Sequence, residues 1–345
     1  MARTLARPPA PTLARTTPRS LACAILATGM LAALSVSAQT VPGYPSRPVT
    51  IVVPFSAGGD ADQSARNLSV TATAALGQPV VIVNRPGANG AIGSQIARDA
   101  APDGYTLLLA RVGSQVLLPA MQESGLSYKW NDFTFIGLLE LNPVVCVVHP
   151  ESKYKTLADL AADLQARPGK LNYSASGPAT VQNLAPQLLL HSLKLKPTDA
   201  VSVHYKGGNE AAMAVMSKDV DFSCNNLSSM AGQVAGGKLR ALMTTTPERL
   251  KQFPDVPTAR ESGFPALEAV IGWSALYGPP RMPTDLVRKW ADVLKAASTD
   301  ARWIAANASY GGIPRVLTPE ATATYVSENF ATYQALARSA GIRMP

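Results

Sequence analysis

Two stretches of this chain carry residue types suited to holding an anion and poorly suited to breaking a bond. The first runs from Ile51 to Leu68, IVVPFSAGGDADQSARNL. An apolar run closed by Pro54 reads as a short strand buried on both faces. Phe55-Ser56-Ala57-Gly58-Gly59 then forms a turn, and from Asp60 the apolar residues take helical spacing. Strand, glycine turn and helix in succession place unpaired backbone N–H groups at a helix N-terminus, where negative charge is favoured. The second stretch, Ser174-Ala175-Ser176-Gly177-Pro178-Ala179-Thr180, has similar chemistry and leads into a helix from about Val181 to Leu193. From the first stretch alone, a bare strand-to-helix turn with no ligand is an equal reading.

The patterns of bond-breaking chemistry are largely missing. No G-x-S-x-G, H-E-x-x-H, C-x-x-C or G-x-x-x-x-G-K-[ST] occurs. His149, His191 and His204 are scattered and read as ordinary surface or half-buried residues. Asp60 and Asp62 share one turn without a third metal ligand nearby, and Gly58-Gly59 lacks the spacing of a dinucleotide fingerprint. No cofactor or metal is therefore expected, and the chain is read as a non-enzyme. A secreted hydrolase using Ser174 or Ser176 would need a base near that loop, and no histidine lies close in sequence. Trp130, Trp273, Trp290 and Trp303 read as core or interface aromatics.

The elements that would position the two loops alternate. Pro48–Val53, Val80–Val83 and Tyr105–Ala110 read as strands, with helices over Ala61–Leu76 and Ala91–Ala100 between them. The glycine-rich segment Asn84–Gly90 and the segment Arg111–Gln115 are further loops on the same edge. Phe133–Val148 reads as one long extended passage. Thr156 and Asp159 form a capping box for a helix over Leu157–Ala166. Strands over Leu171–Tyr173, Val201–Val203, Val220–Cys224 and Leu239–Thr244, with a helix over Glu210–Ser217, then repeat the plan. Ile271–Tyr277 could carry the chain back, and three helices to about Ala340 finish it. Alternation of this kind makes a mostly parallel sheet with ligands at the strands' carboxyl ends. Two α/β lobes joined by two extended crossings leave a cleft, the geometry of a hinge-closing receptor.

Residues 1–38 read as a removable signal peptide. Arg3, Arg7, Arg15 and Arg19 precede an apolar run from Leu21 to Val36 that ends in Val36-Ser37-Ala38. The run is short and rich in small residues for a membrane span, although a retained anchor is the alternative. Export to the periplasm is expected. Of the formal net charge of +8, these four arginines account for half. The remainder is mild and forms no basic run, so no nucleic-acid partner is expected. Cys146 and Cys224 lie in apolar strand-like runs and are read as buried free thiols, although the compartment allows a disulfide.

Several segments together resemble one family, the periplasmic solute-binding receptors of tripartite tricarboxylate transporters (Bug type). The markers are Tyr44-Pro45-Ser46-Arg47-Pro48, Val53-Pro54-Phe55 with Gly58-Gly59, Asn84-Arg85-Pro86-Gly87-Ala88 and Ala101-Pro102-Asp103-Gly104-Tyr105-Thr106-Leu107. Further on stand Pro168-Gly169-Lys170-Leu171-Asn172-Tyr173, Tyr205-Lys206-Gly207-Gly208, Gly236-Gly237-Lys238-Leu239-Arg240-Ala241-Leu242 and Asp255-Val256-Pro257-Thr258. The resemblance implies a type II periplasmic-binding fold with a small carboxylate between two lobes. Lobe 1 would comprise residues 44–142 and 272–345, lobe 2 residues 143–262, and residues 263–271 the return crossing.

It further implies that loop N–H groups and small hydroxyls hold the carboxylate. Phe55, Ser56, Ala57, Gly58, Gly59 and Asp62 would act on one side, and Ser176, Gly177, Thr180, Tyr205 and Asn225 on the other. This chain departs from the family pattern where Ser56 and Ala57 replace a proline pair, Asp60 a glycine and Ala61 a hydroxyl residue. Pro178-Ala179 stand for Asn-Gly, Asn225 for an acidic residue and Arg111 for a small one. Arg111 is expected either to meet a ligand carboxylate, favouring an anionic ligand without an ammonium group, or to pair with Asp60 or Asp62. The expected function is delivery of a carboxylate by a monomeric binding protein to membrane transporter subunits. The alternative is a sensor input that presents its ligand to a membrane receptor kinase.

Overall fold

The computed structural model describes residues 43–122, 125–339 and 341–342, so the segment read as a signal peptide lies outside the described residues. Its strands are β1 (Val49–Val53), β2 (Val80–Asn84), β3 (Thr106–Arg111), β4 (Thr134–Val148), β5 (Asn172–Ala175), β6 (Val201–His204), β7 (Phe222–Asn226), β8 (Arg240–Thr244), β9 (Ile271–Gly278) and β10 (Ile313–Pro314). The helices are α1 (Asp60–Leu76), α2 (Ala91–Arg98), α3 (Leu118–Met121), α4 (Leu157–Ala166), α5 (Val181–Ser192), α6 (Gly208–Met216), α7 (Ala231–Ala235), α8 (Thr284–Ala297), α9 (Ala301–Ser309) and α10 (Pro319–Ser339).

The strands join in one mixed sheet in the order β2-β1-β3-β9-β4-β7-β5-β6, with β8 and β10 also paired to β4. β1 runs parallel to β2 and β3, and β5 runs parallel to β6 and β7. Between these two parallel sets lie β9 and β4, each antiparallel to its neighbours. At 15 residues β4 is long enough to serve both halves of the sheet. Thr134 to Pro143 pairs with β9, while Val144 to Val148 pairs with β7 and β8. The handover falls at Pro143, opposite Ile271, and Val144, opposite Asn226. Pro143 has no N–H to give the ladder. Val144 gives its N–H to Thr245 Oγ1 at 3.0 Å and takes the N–H of Thr245 at 2.9 Å.

Local chemistry explains the element ends. α1 stops at Gly77, whose left-handed backbone sends its N–H to Thr73 O at 3.0 Å. The capping box of Thr156 and Asp159 opens α4 as expected. The apolar faces pack on both sides of the sheet. Val53, Leu68, Leu107, Leu276, Trp290 and Trp303 share one core, while Leu138, Cys146, Tyr173, Phe222 and Trp273 belong to another.

Two expectations are corrected. Cys146 and Cys224 are not free thiols; they form a disulfide. They stand directly opposite each other on antiparallel β4 and β7, which brings their side chains within bonding reach. Arg111 is the last residue of β3 and not part of a loop, and Gly113–Leu117 is a π-helical turn running straight into α3.

Candidate functional site

Four strand ends and the turns after them converge where the two halves of the sheet meet. After β1, Gly58 takes φ +77°, which glycine tolerates best, and turns the chain into α1. The first turn of α1 holds two acids of its own, both buried. Asp62 Oδ2 accepts the Gly58 N–H at 2.9 Å and the Arg66 Nε–H at 2.7 Å. Burial pushes the Asp62 carboxyl up, but the hydrogen bonds from Arg66 and Gly58 outweigh it and hold it below the ordinary aspartate value. Asp60 Oδ2 accepts from the Arg111 guanidinium and from Asn226 Nδ2, the latter at 2.6 Å.

Arg111, buried at the end of β3, also donates to Asn142 Oδ1 at 2.7 Å and to Ser274 Oγ. Ser274 Oγ in turn donates to Glu140 Oε1 at 3.0 Å, and Tyr310 donates to Glu140 Oε2 at 2.8 Å. Burial, and then the charge of Glu140, drive the Tyr310 hydroxyl far above its ordinary pKa. Asp60, Arg111 and Glu140 thus make a buried chain of two carboxylates around one guanidinium. Such a set is costly unless every member is paired, as these are. Of the two readings open for Arg111, pairing with Asp60 is the arrangement found.

The loop after β5 is built differently. Thr180 caps α5 by position, but its hydroxyl donates back to Gly177 O at 2.8 Å. Gln182 Oε1 accepts the Ser176 N–H at 2.7 Å. The first turn of α5 contains no acidic residue. The N–H groups of Val181 and Gln182 have no carbonyl one turn back to reach. Nearby, Gly207 and Gly208 open α6 after β6, with Glu210 accepting the Lys206 N–H at 2.8 Å.

These segments touch across the junction. Ser56 Oγ donates to Lys206 O at 3.1 Å, and Asn209 Nδ2 donates to Gly58 O. Gly177 takes φ +137° and lies so close to Asn89 that a side chain there would collide with it. One hollow is lined by Phe55, Ser56, Gly59, Asp60, Arg111, Val112, Gly113, Ser176, Thr180, Val181, Gln182, Gly207, Gly208 and Asn226. A second hollow shares Phe55 and Ser176 and adds Pro86, Gly87, Ala88, Asn89, Gly90, Gly177, Tyr205 and Lys206.

Of the residues singled out from sequence, the structure brings Phe55, Ser56, Gly59, Arg111, Ser176 and Thr180 to the first hollow and Gly177 and Tyr205 to the second. Ala57, Gly58, Asp62 and Asn225 line neither. Gly58 shapes the turn, and Asp62 holds it. Asn225 is fully buried, with Nδ2 on Gly208 O at 2.9 Å, and its neighbour Asn226 reaches the hollow instead. Successive residues of a strand face opposite ways, so one position changes the side presented. Of those lining the first hollow, Asp60, Val112, Gly113, Val181, Gln182, Gly207, Gly208 and Asn226 were missed. The Tyr205-Lys206-Gly207-Gly208 marker carried a signal for the two glycines. The hollow's donors suit an anion, and no group of three or more His, Cys, Asp or Glu placed to hold a metal occurs among the described residues. No helix among the described residues is long and apolar enough to cross a membrane.

Residues 64–341 match the family described as Tripartite tricarboxylate transporter family receptor. The chain is similar to the protein BugT of Bordetella pertussis, with 30% identity over 325 residues that cover 92% of this chain and 96% of BugT. Among solved structures it is similar to the periplasmic binding protein BugD, with TM-score 0.80 and 29% identity over 87% of this chain and 99% of that one. It is also similar to MatC of Rhodopseudomonas palustris, solved with bound malate, at TM-score 0.79 and 29% identity over 85% of this chain and 99% of MatC.

Proposed function

Because the chain belongs to the tripartite tricarboxylate transporter receptor family, whose relatives include periplasmic binding proteins, we propose that it captures a small carboxylate between two lobes and hands it to the membrane subunits of a transporter. The lobes are residues 44–142 with 272–345, and residues 143–262, joined through residues 263–271 and β4. The observation that carries this reading is that both Phe55–Gly59 and Ser176–Thr180 contribute to one hollow. A ligand seated there touches both lobes at once, so binding favours the closed form by whatever extra contacts closure adds. In this reading the carboxylate lies at the N-terminus of α5, on the N–H groups of Val181 and Gln182 and the hydroxyl of Ser176. The malate bound to MatC is a ligand of this chemical kind. Residues 1–38 serve as the export signal, which places the mature, monomeric protein in the periplasm.

The test is a thermal-unfolding screen of the mature protein against a library of small carboxylates. A ligand that binds only the folded state raises the melting temperature, by an amount that grows with its concentration over Kd. At least one carboxylate is expected to do so; a flat response across the library overturns the reading.

A further inference from the structure

The wall of the hollow formed by the end of β3 and the start of α1 is already furnished with negative charge. Asp60 lines it, and its partner Arg111 is shared with a second buried carboxylate, Glu140, through Ser274 and Asn142. Among the described residues no other Lys or Arg lines this hollow. The amide of Asn226 adds to this. Its Nδ2 donates to Asp60, a group that can only accept, and this fixes which way the amide lies. Its Oδ1 lies against Gly272, outside the hollow, so the part of this amide that bears on the site is the Nδ2 that holds Asp60. Asn226 itself is 4% exposed and lines the hollow.

We propose that Asp60, with Arg111 and Asn226, is a specificity determinant that selects a ligand with one carboxylate and, at its other end, an uncharged or cationic hydrogen-bond donor. A primary ammonium, a carboxamide or a hydroxyl fits this description; a second ionised carboxylate does not. This rests on the carboxylate reading above and deepens it by giving the ligand a direction. The carboxylate goes to α5, whose first turn has no acid, and the donor end goes to Asp60, which Asn226 holds in place. It also reverses the reading of Arg111 as a residue that favours a wholly anionic ligand. With Asp60 beside it, the guanidinium offers no net positive charge.

The test titrates the mature protein calorimetrically with dicarboxylates, their monoamides and ω-amino acids matched in chain length from succinate to adipate. In the wild type a monoamide or amino acid is expected to bind about tenfold or more tighter than its matched dicarboxylate, because like charges set against each other in a closed site are costly. In Asp60→Asn the carboxylate that lines the hollow is gone and only the buried Glu140 remains to balance the guanidinium, and the ratio is expected to move about tenfold toward the dicarboxylate. Should that variant fail to fold, Asp60→Asn combined with Arg111→Gln removes both charges, and the ratio is expected to fall to near unity. A wild type that prefers the dicarboxylate, or a ratio unmoved in the variants, overturns this inference and leaves the carboxylate reading standing. Absence of binding by every member of all three series overturns both.

Discussion

Two helices, α1 and α5, turn their N-termini toward the same hollow, and the chain treats them in opposite ways. The first turn of α1 contains Asp60 and Asp62, whose carboxylates take the Gly58 N–H, two guanidinium groups and the Asn226 amide. The first turn of α5 contains Val181, Gln182 and Asn183, no acid, and a cap residue whose hydroxyl is turned back on Gly177. A helix N-terminus attracts negative charge through its unpaired N–H groups and its dipole, and a side chain can satisfy that demand as well as a ligand can. Where the chain supplies its own anion, the helix end serves stability. Where it supplies none, the same geometry is open to a guest. The strand-turn-helix signature is therefore only half of an anion site; the other half is the absence of a resident acid.

The contrast can be broken most severely at Arg111. Arg111→Met leaves Asp60 buried without its cation and is expected to lower folding stability by about 3–5 kcal/mol, read from the urea midpoint at unchanged slope. A neutral result would mean that Asp60 does not depend on Arg111 and that α1 is less self-sufficient than its contacts imply. A smaller effect is expected at α5. Gln182→Glu keeps the acceptor for the Ser176 N–H but adds the acid that this turn lacks. Carboxylate affinity is expected to fall about a hundredfold, since like charges then face each other. Stability should move by less than about 1 kcal/mol, because an acid at a helix N-terminus is itself favourable. Unchanged affinity would show that the carboxylate is not held there.

The smallest effect belongs to Asp62. Asp62→Asn weakens the acceptor for Gly58 and removes the charge that faces Arg66, for an expected loss of about 1 kcal/mol at neutral pH. The folded carboxyl lies below its ordinary value of 3.8, so the unfolded chain takes up the proton first as pH falls. Its contribution is complete above that value and disappears as pH drops through the lower folded one. The difference between wild type and variant should therefore close on acidification. Acid titration of the unfolding free energies would contradict this if the gap persisted.

Much of the frame was legible because it is local. Hydrophobic runs gave the strands, Thr156 and Asp159 gave a cap, and glycines gave the turns, all within a few residues of one another. The loops Phe55–Gly59 and Ser176–Thr180 were legible for the same reason. What escaped depends on pairs far apart in the chain. Arg111 finds Asp60, 51 residues earlier, and Ser274, 163 residues later. No periodicity encodes such a pairing, and the sequence alone left it level with a ligand contact. Cys146 and Cys224 became partners through the register of β4 against β7, which neither strand's composition discloses. Asn226 escaped by one position, because strand alternation is certain only once the strand's phase is known.

One consequence of the long strand β4 is mechanical. Its ladder changes partner at Pro143, which contributes no donor, while the next residue is held by Thr245 through both its N–H and its carbonyl. A flexure at Pro143 breaks no hydrogen bond given by that residue, whereas a flexure one residue later strains two. The change of partner thus falls immediately beside Asn142, which accepts from Arg111. The strand that joins the two halves of the sheet therefore changes partner at the residue next to the one that binds the buried guanidinium, so the same short stretch serves both the ladder and the polar wall of the hollow.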